Sequence, residues 1–203
     1  FKAILQSFNE VYQTLMEVRK YKNVAIFLLA YWFYMDGIDT IVRMATAYGS
    51  DIGLEASSMI TALILTQFVG FPSTLIFGYF ADKIGFKKII SIGILIYILI
   101  SIFASRITTA TEFYLMAVVV GLVMGGVQAV SRAYFSSIIP EDKEAQFFGF
   151  YNLVGKSAVV AGPALLAWIS MIFNTPRAGI LGLLILFIPG LILLWMVPTQ
   201  KNS

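Results

Sequence analysis

The sequence predicts an all-α membrane protein: six spanning helices preceded by an amphipathic surface helix. Three observations carry this. Of 203 residues, 59% are hydrophobic and only 12% charged, with a mean hydropathy of +0.86; soluble domains carry roughly 25% charge. Six apolar stretches each approach the ~20 residues needed to cross a hydrocarbon core. The joints between them hold the Gly, Pro, Ser and charged residues expected of turns.

Residues 1–23 come first. Phe1, Ile4, Leu5, Phe8, Val11, Tyr12, Leu15 and Val18 recur at helical spacing, and the stretch closes on Arg19, Lys20 and Lys22. One apolar stripe with a basic end reads as a helix lying along the cytoplasmic membrane surface. Its scattered charge leaves no uninterrupted apolar run of the kind a cleavable signal peptide needs. The chain begins with Phe1 and not Met, which reads as a segment of something longer.

The six spans are expected at residues 24–48, 58–80, 88–105, 113–136, 147–173 and 178–197, with a short tail at 198–203. Together they make one bundle, with no room for a soluble domain. Lys2, Arg19, Lys20, Lys22, Lys83, Lys87, Lys88, Lys143 and Lys201 fall on one set of connections and ends, and only Arg106 and Arg177 on the other. The positive-inside rule then places both termini in the cytoplasm. The net charge of +3 is thus a membrane-orienting charge rather than a sign of nucleic-acid binding. The fourth span has small residues every fourth position, at Ala117, Gly121, Gly125, Ala129 and Ala133, a ridge on which another backbone can lie close. In the fifth, Gly155, Ala158 and Gly162 precede Pro163, whose missing N–H favours a bend. Packing is the ordinary role of such residues, and gate movement the sharper one.

Polar residues inside these spans mark the candidate chemistry. An ionised side chain at the bilayer centre costs about 2.5–3.5 kcal/mol or more, so it ordinarily faces a bundle interior or a wet cavity. Asp36, Asp39 and Arg43 share one helical face of the first span. Gln128 and Arg132 pair on the fourth, and Asn152 and Lys156 on the fifth. Asp36, Gln67 and Lys156 each fall near the middle of their spans, and are expected to face one common hollow. Asp39 and Arg43 have two readings of equal weight: neutralising each other as a structural pair, or acting in a solute path. A carboxylate taken out of water holds its proton more tightly, which makes Asp36 the candidate for a group that gains and loses one. Lys156 is either its partner across the hollow or a holder of a solute carboxylate.

The absence of His and Cys excludes a disulfide, a Cys/His metal site and a His-based triad. Ser157, beside Lys156, points to another helical face, which argues against a Ser–Lys dyad. No enzyme and no cofactor is expected.

The stretch from Gly78 through Ala81, Asp82, Lys83, Gly85, Lys87 and Lys88 is the most specific. Its glycines allow a tight turn, Asp82 can accept from a helix N-terminus, and its lysines hold the turn at the inner surface. It resembles the signature loop G-x-x-A-D-[RK]-x-G-x-[KR]-[KR] of the major facilitator superfamily. Asp36-Gly37-Ile38-Asp39-Thr40, Gln67-Phe68-Val69-Gly70, residues 125–132, residues 147–151, Gly155-Lys156 and Gly162-Pro163 narrow the likeness to the vacuole-effluxer-like branch. That branch includes fungal vacuolar amino-acid effluxers and bacterial relatives.

The resemblance implies the second half of a twelve-span carrier, built as two inverted three-helix repeats, with the solute site between it and a six-helix partner half. Asp36, Asp39, Arg43, Gln67, Gln128, Asn152 and Lys156 would face the solute and proton path. Gly78, Asp82, Lys83, Gly85, Lys87, Lys88 and Arg132 would form the inner gate. The expected home is the cell membrane, or the vacuolar membrane if the chain is fungal. The competing reading is a self-contained six-span homo-oligomeric channel or structural protein.

Overall fold

A computed structural model describes residues 15–198. The expected surface helix lies outside the described residues over 1–14, as does the tail from 199 to 203; residues 15–18 are helical. The helices that follow are α1 (Lys22–Asp51), α2 (Ala56–Ile84), α3 (Phe86–Ala104), α4 (Ala110–Ile138), α5 (Glu144–Ser157), α6 (Ala161–Phe173), α7 (Pro176–Gly182) and α8 (Leu184–Met196). Six candidate spans result, because Glu141–Phe173 and Pro176–Met196 are each long and apolar enough to cross a membrane once their breaks are bridged. α1, α2 and α4 run past both expected ends, since flanking polar residues continue the helix into the interface.

Local chemistry sets the ends. Thr109 and Glu112 form a reciprocal capping box at the start of α4, with Glu112 N–H donating to Thr109 Oγ1 at 3.3 Å and Thr109 N–H to Glu112 Oε2 at 3.1 Å. Gly85 alone joins α2 to α3, at φ +97°, where an L side chain would be strained. Asn174, left-handed at φ 51°, ends α6, and Pro176 opens α7.

The order of packing is that of two inverted triplets. α2 and α3 both lie on α4; the fifth span and α8 both lie on α1. α1 is the buried centre, with Phe27, Tyr34 and Ile38 wholly inside. Gly37 lets the Phe187 ring of α8 approach so closely that a Cβ there would sit 2.7 Å from it.

The α2–α4 contact is the most extensive, and it follows the small-residue ridge. A Cβ on Gly121 would fall 2.6 Å from the Thr66 carbonyl oxygen. Thr66 Oγ1 donates to Ala117 O at 3.1 Å, and Ser73 Oγ donates to Leu122 O. Lipid tails are as apolar as leucine, so this close fit and these cross-helix bonds supply the association. The ridge is divided between two tasks: Ala129 lines a groove and Ala133 is exposed.

The connections group by end. Lys87 Nζ donates to Trp195 O at 3.0 Å and Val197 O at 2.5 Å, and Glu17 pairs with Lys143. At the other end Tyr48 Oη donates to Ala104 O at 2.5 Å and Arg177 to Ile107 O at 3.0 Å. The segments rich in Lys therefore meet at one end of the bundle.

Candidate functional site

Three helices build one polar groove of about 510 Å³. α1 supplies Tyr31, Met35, Asp39 and Arg43, each four residues on from the last and so on one face. α4 supplies Gly125, Gln128, Ala129 and Arg132; α5 supplies Tyr151, Asn152, Gly155 and Lys156. The floor is a stacked pair, Tyr31 on Tyr151, with ring centroids 4.3 Å apart. Gly155 permits this, since a Cβ there would stand 3.2 Å from the Tyr31 hydroxyl. Tyr34 Oη and Ser131 Oγ, 2.7 Å apart, tie α1 to α4 beneath the groove. The Arg132 guanidinium lies 5.2 Å over the Phe148 ring, a cation–π contact.

Six of the residues singled out from sequence therefore meet: Asp39, Arg43, Gln128, Arg132, Asn152 and Lys156. Arg132, placed with the inner gate by resemblance, also lines the groove. Asp39 and Arg43 do not form an ion pair; among the described residues the ion pair within 4 Å is Lys143–Glu17. Asp39 and Arg43 still lie one turn apart on the same wall of the groove.

The hollow expected to join Asp36, Gln67 and Lys156 is not seen among the described residues. Lys156 lines the groove, but the other two are absent from its walls. Gln67 is exposed on α2, one residue on from Thr66, which is buried against α4. A helical step of about 100° turns it off that interface, and depth along a span says nothing of azimuth.

Asp36 is wholly buried, and one of its oxygens accepts from the Gly162 N–H at 2.8 Å. The fifth span is broken at residues 158–160, and Asp36 caps the half-helix that restarts beyond the break. Gly162 is forced here: a Cβ would collide with Thr40 Oγ1 and stand 2.9 Å from the Asp36 carboxylate. Pro163 falls in the first turn of α6, where no intrahelical N–H is needed. The bend expected at Pro163 is thus a full break a few residues earlier. The second oxygen of Asp36 has no partner among the described residues.

At the Lys-rich end, Asp82, Gly85, Lys87 and Lys88 line a recess of about 780 Å³ with Trp195. Lys87 holds the last carbonyls of α8, where the helix dipole is negative. Lys83 folds back on Tyr79, its ammonium 4.3 Å from that ring's centroid. The bond expected from Asp82 to a helix N-terminus is not seen among the described residues, and the N-cap of α3 is Gly85, which has no side chain to cap with.

The floor residues Tyr31, Met35 and Tyr151 were missed from sequence. Tyr31 and Met35 continue the Asp39–Arg43 register backwards by fours, a signal that was present but not marked by charge. Tyr151 adjoins Asn152 and sits one turn before Gly155.

Six apolar helices, packed as inverted triplets beside a polar groove, define the class: half of a major facilitator fold. The chain belongs to the vacuole effluxer Atg22-like family, whose model matches residues 1–203. It is 37% identical over 200 residues to the uncharacterized MFS-type transporter YxiO of Bacillus subtilis, covering 98% of this chain and 47% of that protein. Autophagy-related protein 22 of Cryptococcus neoformans is 26% identical over 203 residues, covering 92% of this chain and 36% of that protein. The corresponding protein of Yarrowia lipolytica is 28% identical over 199 residues, at 93% and 34%. The chain spans less than half the length of these relatives.

Proposed function

We propose that this chain is one half of a secondary transporter that moves a small polar solute by alternating access, coupled to a proton gradient. The observation that carries the reading is the groove: four charged side chains from three spanning helices, gathered on one open wall instead of scattered toward lipid. Charged residues at such depth serve pathways far more often than packing. A partner half of the same polypeptide closes the other side, in keeping with the length of the relatives. The bilayer and that partner half are its surroundings, with both termini cytoplasmic and the recess at Asp82, Lys87 and Lys88 at the inner gate. Amino acids are the solute class suggested by likeness to the fungal effluxers.

Asp36 is the proton-handling group in this reading, and its place at the break gives it leverage. It holds the restart of the fifth span against α1, the helix that also carries Asp39 and Arg43. A change in its protonation alters the bond that positions α6 relative to the groove.

The test is flux in liposomes containing the intact parent, with and without an imposed pH gradient. Asp36→Asn is expected to abolish gradient-driven flux while expression is retained. Coupling at the wild-type level in that variant removes Asp36 from the mechanism, and no flux of any solute by the wild-type parent removes the transport reading.

A further inference from the structure

The groove carries positive charge that this chain does not answer. Arg43, Arg132 and Lys156, one from each of three helices, face it together with a single carboxylate, Asp39. None of the three cations is in an ion pair among the described residues, and all three are exposed. Arg132 rests on the Phe148 ring, which leaves its donors free to bond outward. Three cations against one carboxylate leave a surplus of two positive charges on this wall.

A zwitterion of zero net charge would match a wall with balanced signs, and a cation would be repelled. We infer that the groove receives a small solute of net negative charge, held through carboxylate or phosphate oxygens by Arg43, Arg132 and Lys156. The guanidinium forks suit groups that present two oxygens, while the lysine ammonium acts as a point charge. Asp39, one turn from Arg43, faces whatever donor or positive group the solute carries. The volume of about 510 Å³ on this side alone is that of a small-molecule site. This inference deepens the transport reading by naming the solute class, and it rests on that reading for the groove being a solute path.

The experiment is isothermal titration of the intact parent in detergent, at fixed ionic strength. The probes are L-glutamate, succinate and glycerol phosphate, set against L-leucine and L-lysine. At least one net-negative probe is expected to bind about tenfold or more tighter than both others. Succinate against glycerol phosphate separates the carboxylate source from the phosphate source. Lys156→Gln and Arg43→Gln are each expected to weaken that binding by about tenfold or more, with Lys156→Arg retaining most of it. Asp39→Asn is expected to leave it unchanged or tighter, because a repulsive charge is removed.

Equal or tighter binding of leucine or lysine, or no binding by any of the three anions, overturns the inference. So does anion binding that is indifferent to Lys156→Gln. Flux is scored separately: anion binding without flux removes transport and leaves this inference standing. Flux of a neutral solute with no anion preference does the reverse.

Discussion

The two equivalent helices of the inverted triplets, α2 and the fifth span, are held in opposite ways. α2 runs unbroken through Pro72 and lies on α4 along glycine and small hydroxyl residues, with Thr66 and Ser73 donating to α4 carbonyls. The fifth span is cut at residues 158–160 and is held to α1 by a carboxyl cap at Gly162 and a tyrosine stack. Close backbone contact leaves little room for α2 to shift on α4. A joint held by one carboxylate and one aromatic face has few contacts to lose, and the groove lies along it.

The largest expected effect breaks the rigid side. Gly121→Val places its Cβ against the Thr66 backbone, which has no way to yield. A cost of about 3 kcal/mol or more is expected, read as loss of monodisperse protein or a large fall in Tm for the intact parent in detergent. Recovery at wild-type yield and Tm would show that the contact is looser than described.

The joint is expected to be next. Asp36→Ala leaves the Gly162 N–H without its acceptor and opens a small void, for about 2 kcal/mol. Hydrogen exchange at residues 161–163 should rise in this variant, while exchange in α2 stays as it was. Asp36→Asn keeps an acceptor, and its loss of stability should be under about 1 kcal/mol. Equal destabilisation by the two would mean that charge, rather than the hydrogen bond, holds the joint.

Single cross-helix hydroxyls on the rigid side should matter less. Thr66→Val or Ser73→Ala is expected to cost about 0.6 kcal/mol, measured as a small drop in Tm. A cost matching that of Gly121→Val would shift the credit from shape to hydrogen bonding.

The smallest effect lies at the surface. Lys143 and Gln146 hydrogen-bond Glu17 and hold its carboxyl below the usual glutamate range. A depressed folded value contributes stability that is complete above the ordinary glutamate pKa and is lost as pH falls through the depressed one. Glu17→Gln should flatten only that acid limb of the Tm profile. A difference persisting unchanged down through it would mean the pair contributes nothing by charge.

Much of this contrast was legible in the sequence. Span number and order follow from runs of apolar residues, which no alternative structure buries in lipid. The Ala117–Gly121–Gly125 ridge announced its contact because only small residues let backbones meet. The groove was legible wherever two polar residues sat four apart on one helix, as with Gln128 and Arg132. Asp36 was not, although it shares a face with Arg43. The Gly162 end of α6 lies over it, and that placement depends on a break the sequence signalled only through Pro163. Gln67 shows the same gap, because a residue's depth is set by counting whereas its bearing is set by whichever neighbour the helix leans on.

The grip of Lys87 on Trp195 and Val197 has a bearing on assembly. α3 precedes α8 in the chain, so the carbonyls that Lys87 grips come from a helix made after it. α8 thus acts as a clasp on the first triplet, and a cut before Trp195 would remove both carbonyls that close it.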